Sequence, residues 1–384
     1  MTDTIDISSL PVPSAGSSLK RASVSLIDRA VHRIESPSGD CTEDVHFVRT
    51  MIKRLRAMLR LIQPATGAAS FEREDASLKN AARRLAGLRD AAVGQKTLER
   101  FAKAARGKHE QEACKVVLDH YRLLRPARSV AQQQSTMRAV ARMLRRSRRD
   151  IQRLRIVGDE WRTIGPGLAQ VYRSGRKRMK NAFTGGDDAA FHRWRVRVKN
   201  LYFQLQWLTP LWPKHLRRMT ARLTKLQKAL GADHDLTVLK AVLEKSPSDF
   251  GGLTTVKCIL ARLKKRSRAF RRASRPLGEE IFAEKPDRFI QRFKRHWRRK
   301  RGFEDKKSQA IGKCGGARIS MRRHGPSMKP PVKKLPHKLG ANQKEAAIKP
   351  QKRDANFKQS RDIREDRGER QIKTGSAPRT IHGE

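Results

Sequence analysis

The chain has 384 residues, with 88 lysines and arginines against 37 aspartates and glutamates, for a formal charge of +51. That balance points to a polyanionic partner: nucleic acid, polyphosphate or an anionic membrane surface. With 37% hydrophobic and 5% aromatic residues, the chain cannot be packed throughout, which predicts one large ordered region with disordered ends.

Residues 1–21, rich in Ser, Thr and Asp, read as a polar leader. They lack the basic and then apolar regions of a secretory signal. No apolar run reaches the roughly 18 residues of a membrane span. From about 22 to 300 the pattern is helical nearly everywhere; β-alternation is absent and Leu, Ala, Arg, Lys and Gln dominate. Breaks are expected at Ser36–Gly39, Pro64–Ser70, Gly107, Gly158, Gly165–Gly167, Gly185–Gly186, Pro210–Pro213, Ser246–Pro247 and Gly251–Gly252. The expected fold is all-α and of the bundle type. Residues 301–384 lose apolar periodicity and read as a disordered basic tail. It either holds a polyanion loosely, nucleic acid included, or merely solubilises. Cys41, Cys114, Cys258 and Cys314 are scattered without C-x-x-C or metal-ligand spacing, as expected of reduced thiols in a cytosol.

The most informative stretch is a cationic stripe. His46, Arg49, Lys53, Arg56 and Arg60 follow i, i+3, i+7, i+10, i+14, which places them within about 80° of one another on a helix. Val48, Ile52, Leu55, Leu59 and Ile62 fall on an adjacent arc. One face therefore packs while its neighbour presents a row of charge suited to a polyanion.

The stripe returns as His192, Arg195 and Lys199, each 146 residues on, with Leu201 and Leu205 answering Leu55 and Leu59. Downstream, Leu85 to Val93 with Asp90 matches Leu230 to Val238 with Asp235 at an offset of 145. Two blocks repeating in type, spacing and order predict two homologous helical halves, about 22–155 and 160–300, related by pseudo-twofold symmetry.

At these residues the chain resembles the CHAD family, the conserved-histidine α-helical domains. The resemblance covers roughly 22–300. It rests on the two His-x-x-Arg-x-x-x-Lys helices, Leu88-Arg-Asp90, the segment Gly165 to Arg176, Leu226 to Gly231, and Phe282 to Pro286. It implies two pseudo-symmetric four-helix bundles with a basic groove or pore that binds inorganic polyphosphate. It also implies a cytoplasmic protein associated with polyphosphate granules. Two departures stand out. Ala92 occupies a position where the family commonly has a second acid. Tyr202 and Gln206 stand where the first half has Arg56 and Arg60, which implies uneven binding by the two halves.

Polyphosphate has closely spaced charges and no sequence to read, so a binder needs cation density and donors. Arg grips oxygens with a planar fork; Lys supplies a compact charge. The first candidates are therefore His46, Arg49, Lys53, Arg56, Arg60, His192, Arg195 and Lys199. Each histidine either donates to the anion when protonated or is neutral and fixes helix packing. Asp90 and Asp235 read as orienting partners for the basic residues, or as plain helix-terminal acids. Arg138 and Arg142 form a second stripe, Tyr172, Arg173 and Arg176 a third, and Arg218, Arg222 and Lys225 a fourth; ligand contact and solvent exposure are both open for these. Trp161, Trp194, Trp207 and Trp212 are expected in the core.

No phosphate-binding loop, nucleophile elbow or zinc motif occurs. The reading is a non-catalytic binder with no cofactor or metal. The alternatives are a nucleic-acid-binding protein and a polyphosphate-metabolising enzyme or its partner.

Overall fold

The computed structural model describes residues 15–105, 107–124, 129–156 and 160–314, excepting the side chains of 89–91, 160 and 301–314, and these fall in one compact unit, Met1–Arg318. Among the described residues there is no strand. Ten α-helices follow in order: α1 (Ala15–Glu35), α2 (Cys41–Thr66), α3 (Ala68–Lys103), α4 (Lys108–Leu124), α5 (Val130–Arg153), α6 (Glu160–Gly185), α7 (Asp188–Trp207), α8 (Pro213–Lys245), α9 (Gly252–Ile281) and α10 (Pro286–Cys314). Short 3₁₀ turns at Thr209–Leu211 and Pro247–Phe250 occupy two of the expected breaks.

The order repeats. Helices α1, α2, α3 and α5 pack in a ring, each on two of the others. Helices α6, α7, α8 and α10 follow the same plan, with the Thr209–Leu211 turn bridging α8 and α10. The remaining member of each half packs on its own long neighbour, α4 on α3 and α9 on α8, and these two also pack on each other. Both histidine helices start alike. The Asp40 carboxylate accepts from Thr42 and Glu43 N–H at the start of α2, and Asp187 accepts from Ala190 N–H at the start of α7. Each satisfies backbone donors that the first helical turn leaves open.

One apolar core runs through both halves, from Leu19 and Leu26 through Leu55 and Leu59 to Tyr172, Trp194 and Phe293. A second core joins the ends of α3 and α8 to α4 and α9 through Phe101, Val117, Leu239 and Ile259. The halves meet where α2 packs against α6 and α7. There the Gln204 amide donates to the Ala57 carbonyl at 2.9 Å, buried from solvent.

Three expectations about boundaries differ from the structure. Gly165-Pro-Gly167 is not a break: α6 runs through it with Pro166 inside. The glycine serves close approach, since a Cβ at Gly167 would stand 2.0 Å from the Leu61 carbonyl oxygen. Helix α1 starts at Ala15, because Leu19 is fully buried and anchors its first turns. Helix α10 extends to Cys314, beyond the expected tail boundary at 301. Leader residues 1–14, tail residues 315–384 and the Asp90 side chain lie outside the described residues.

Candidate functional site

Helices α2 and α7 touch, and each turns its apolar arc into the core: Val48, Ile52, Leu55 and Leu59 on one, Trp194, Val198, Leu201 and Leu205 on the other. Each cationic stripe therefore runs beside an arc packed into the core, and on α2 Arg49 Nη1 donates to the Ala82 carbonyl of α3 at 3.5 Å. His46 and His192 are exposed, while Arg49, Lys53, Arg195 and Lys199 are half-buried.

A histidine that the stripes did not predict lies within reach of members of both, Lys53 of the first and His192, Arg195 and Lys199 of the second. His234, on α8, sits with its Nδ1 3.2 Å from the Nδ1 of His192, and the ring centroids are 4.6 Å apart. A contact between these nitrogens requires at least one neutral ring. Burial, followed by the charges of Arg195, His192, Lys199 and Lys53, pushes the His234 pKa down to about 3. Lys53 comes from the first half and the others from the second, so cations of both halves act on one imidazole. Although His192 is exposed as a whole residue, partial desolvation of its ring, followed by the charges of Arg195, Lys199 and Arg193, holds its pKa below its usual value. Arg197 of α7 is a further link. Its charge interacts with Arg60 and with Asp75 of the first half, and its own pKa is lowered chiefly by burial and then by Arg178.

The far end of the first stripe is engaged otherwise. Arg56 donates through Nε and Nη2 to the two carboxylate oxygens of Asp75, both at 2.9 Å, and Arg60 Nη2 donates to the same carboxylate at 2.9 Å. Burial raises the Asp75 pKa, but the two guanidiniums outweigh it and leave the carboxyl below its ordinary range. At the matching positions of α7, the Gln206 amide donates to the Tyr202 hydroxyl at 2.8 Å. The two stripes are therefore more alike in available charge than their sequences suggest. Two arginines on one side are matched to an acid, and the two neutral residues on the other satisfy each other.

The outlying candidates scatter. Tyr172 is a correction: it is fully buried, stacked on Phe289 at 3.8 Å, with its hydroxyl donating toward the carbonyls of Ile281 and Glu284 at 3.3 and 3.1 Å. Burial, then the Glu284 charge, pushes its pKa up to about 12. It holds α6 to the α9–α10 connection and offers nothing to a ligand. Its neighbours Arg173 and Arg176 instead line an outer cavity of about 790 Å³ with Lys177, Lys180 and Arg275. Arg138 and Arg142 are exposed on α5, which packs on α1 and α3. Arg218 and Lys225 are exposed on α8, and Arg222 pairs with Glu280 at 2.8 Å. Asp235 lines a narrow cleft with Arg100 and Arg266.

The acid that organises this part of α8 is Asp233, two residues earlier and 2% exposed. It accepts from Ser267 and, at 3.1 Å, from Arg271 Nε. Arg271 also reaches Asp188 and lies over the Phe191 ring at 4.3 Å. Only His234 left a usable trace in the sequence: at the repeat offset of 145 it stands where the first half has Arg89, basic for basic. Asp75, Asp188 and Asp233 have no counterpart in the repeat to flag them.

The duplicated helical architecture, with its paired histidine helices, defines a class of internally repeated α-proteins. A family model, "CHAD domain", matches residues 26–244, more than half of the chain, and the chain belongs to that family. Among solved structures it is similar to the crystal structure of the CHAD domain from the plant Ricinus communis. The identity is 18% and the TM-score 0.48, over 71% of this chain and 91% of that one. No curated protein matches the chain. No helix among the described residues is long and apolar enough to cross a membrane.

Proposed function

We infer that the chain is a non-catalytic binder of inorganic polyphosphate, held in a basic groove between α2 and α7. The carrying observation is that Lys53 of one half and Arg195 and Lys199 of the other act on the same imidazole, His234. An extended anion lying along that junction meets cations on both sides. The arginines grip non-bridging oxygens as forks and the lysines neutralise charge at a point. A neutral His192–His234 pair adds N–H donors without adding repulsion to an already crowded site. Membership of the CHAD family supports the reading, as does the +51 charge. The same affinity would place the protein on polyphosphate granules.

The test is a titration of the full chain with long-chain polyphosphate over a range of salt, beside duplex DNA at equal charge. Binding is expected to weaken steeply with salt, as counterion release demands. The combined variant R49A/K53A/R195A/K199A should bind more weakly and with a shallower salt slope while its helicity is intact. Displacement of polyphosphate by duplex DNA at equal charge overturns the proposal.

A further inference from the structure

The internal repeat supplies its own control for what charge the fold requires. Helices α4 and α9 hold the same place in the two halves, each packed on the long helix before it. Helix α4 carries three basic and three acidic residues; α9 carries nine basic and two acidic. Packing alone therefore does not call for the charge of α9. All of that charge also lies beyond residues 26–244, the stretch matched by the family model.

Much of that charge borders a concavity. Lys264, Arg268, Arg272 and Arg275, at i, i+4, i+8 and i+11, are exposed along the rim of a cavity of about 1060 Å³ between α9, α8 and the α6–α7 connection. Arg271 adds nothing to that rim, because Asp233 and Asp188 already hold it. The cavity adjoins the outer one lined by Arg173, Arg176 and Lys180, and the two share Phe183 and Arg275. Together they make one track across the second half that is cationic on balance: its lining holds ten lysines and arginines against Asp187, Asp188, Glu244 and Glu279, and Arg275 pairs with Glu279 at 3.4 Å and Arg173 with Asp287 at 3.5 Å. The aromatic floor serves the cations: Arg275 lies over the Phe183 ring at 5.0 Å, which restricts the guanidinium before any ligand arrives. Phe191, also on the floor, is only 3% exposed, so it offers no platform on which a nucleobase could stack. Phe191 and His192 are consecutive on α7, the first on this track and the second at the α2–α7 junction. The two places are thus separated by about one helix diameter, on the order of 10 Å.

We propose that the α9 track is a second binding segment for long polyphosphate chains, entered by polymer that leaves the α2–α7 junction. The proposal rests on the reading of that junction given above. Two linked segments raise affinity through effective concentration, and only for a polymer long enough to occupy both. The test compares tripolyphosphate, long-chain polyphosphate and single-stranded DNA on the full-length protein and two variants. In K264Q/R268Q/R272Q/R275Q, affinity for the long chain should fall about tenfold or more while that for tripolyphosphate is unchanged. In R49Q/K53Q/R195Q/K199Q, affinity for both should fall. Wild-type affinity of the α9 variant for the long chain overturns the second segment alone. Loss confined to single-stranded DNA overturns it in favour of a nucleic-acid site. Wild-type affinity of the junction variant overturns the primary site instead. Because the four α9 side chains are exposed, the variant is expected to melt as the wild type does; if it does not, R268Q/R272Q repeats the comparison, and a tenfold loss or wild-type affinity for the long chain decides in the same way.

Discussion

Replacing Asp75 with Asn separates the cations that build the fold from those offered to a ligand. Asp75 receives three hydrogen bonds of 2.9 Å from Arg56 and Arg60. The three side chains are 16–23% exposed, so water replaces the lost charge only in part. Hydrogen bonds to charged groups contribute about 1.5–3 kcal/mol each, and Asn retains one acceptor, so the expected loss is about 2–4 kcal/mol. For a domain of this size that is a fall of roughly 3–6 °C in Tm, read by circular dichroism. Binding should move the other way. Two guanidiniums released beside the junction would tighten polyphosphate and steepen its salt dependence by up to about 1.8, by analogy with duplex DNA. An unchanged Tm would refute the ion pair's structural role. A folded D75N that binds polyphosphate more weakly would refute the assignment of Arg56 and Arg60 to packing, because Asp75 would then be aiming them at the ligand.

Gly167→Ala should cost about 3 kcal/mol, since the new Cβ meets the Leu61 carbonyl and backbone cannot yield as a side chain can. Gly231→Ala, within α8 and with nothing in the way, should instead stabilise by about 0.5–1 kcal/mol; thermal melts of the pair check both. Tyr172→Phe should lose about 1 kcal/mol of stability with polyphosphate affinity unchanged, and a change in affinity would return that residue to the binding surface. His234 titrates near 3 when folded and near 6.5 when unfolded, so the unfolded chain takes up the proton first. Stability from the neutral ring is present above about pH 6.5 and is lost as pH falls towards 3. A His234→Gln variant should show a weaker decline over that window in denaturant titrations, and a parallel decline would contradict the assignment.

The repeat was legible because it is written in residue type and spacing: His46 and His192 stand at matching places on matching helices, each opened by an aspartate cap. The all-α architecture followed from the same periodicity. The partition of the cations was not legible. Whether Arg56 points at a ligand or at Asp75 depends on how α2 crosses α3, and nothing local encodes that crossing. Tyr172 misled for a similar reason, since the Phe282 and Phe289 rings that enclose it lie more than a hundred residues away. Asp235, the acid the repeat singled out, lies two residues, about 200° around a helix, from Asp233, which puts Asp235 in a cleft and Asp233 in the core.

The core shared by both halves has a consequence for recognition. Two-lobed proteins joined by a linker shut on their ligands like a jaw, and adapt their gape to what they hold. Here Gln204 is bonded across the seam and Gly167 lets two backbones almost touch, so there is no hinge on which to swing. The contour where α2 meets α7 is set once, when the chain folds. If polyphosphate is the ligand, as proposed, selectivity would work as a gauge does: an anion would be admitted for its thickness and charge spacing, and a poor fit would not be accommodated by closure of one half on the other.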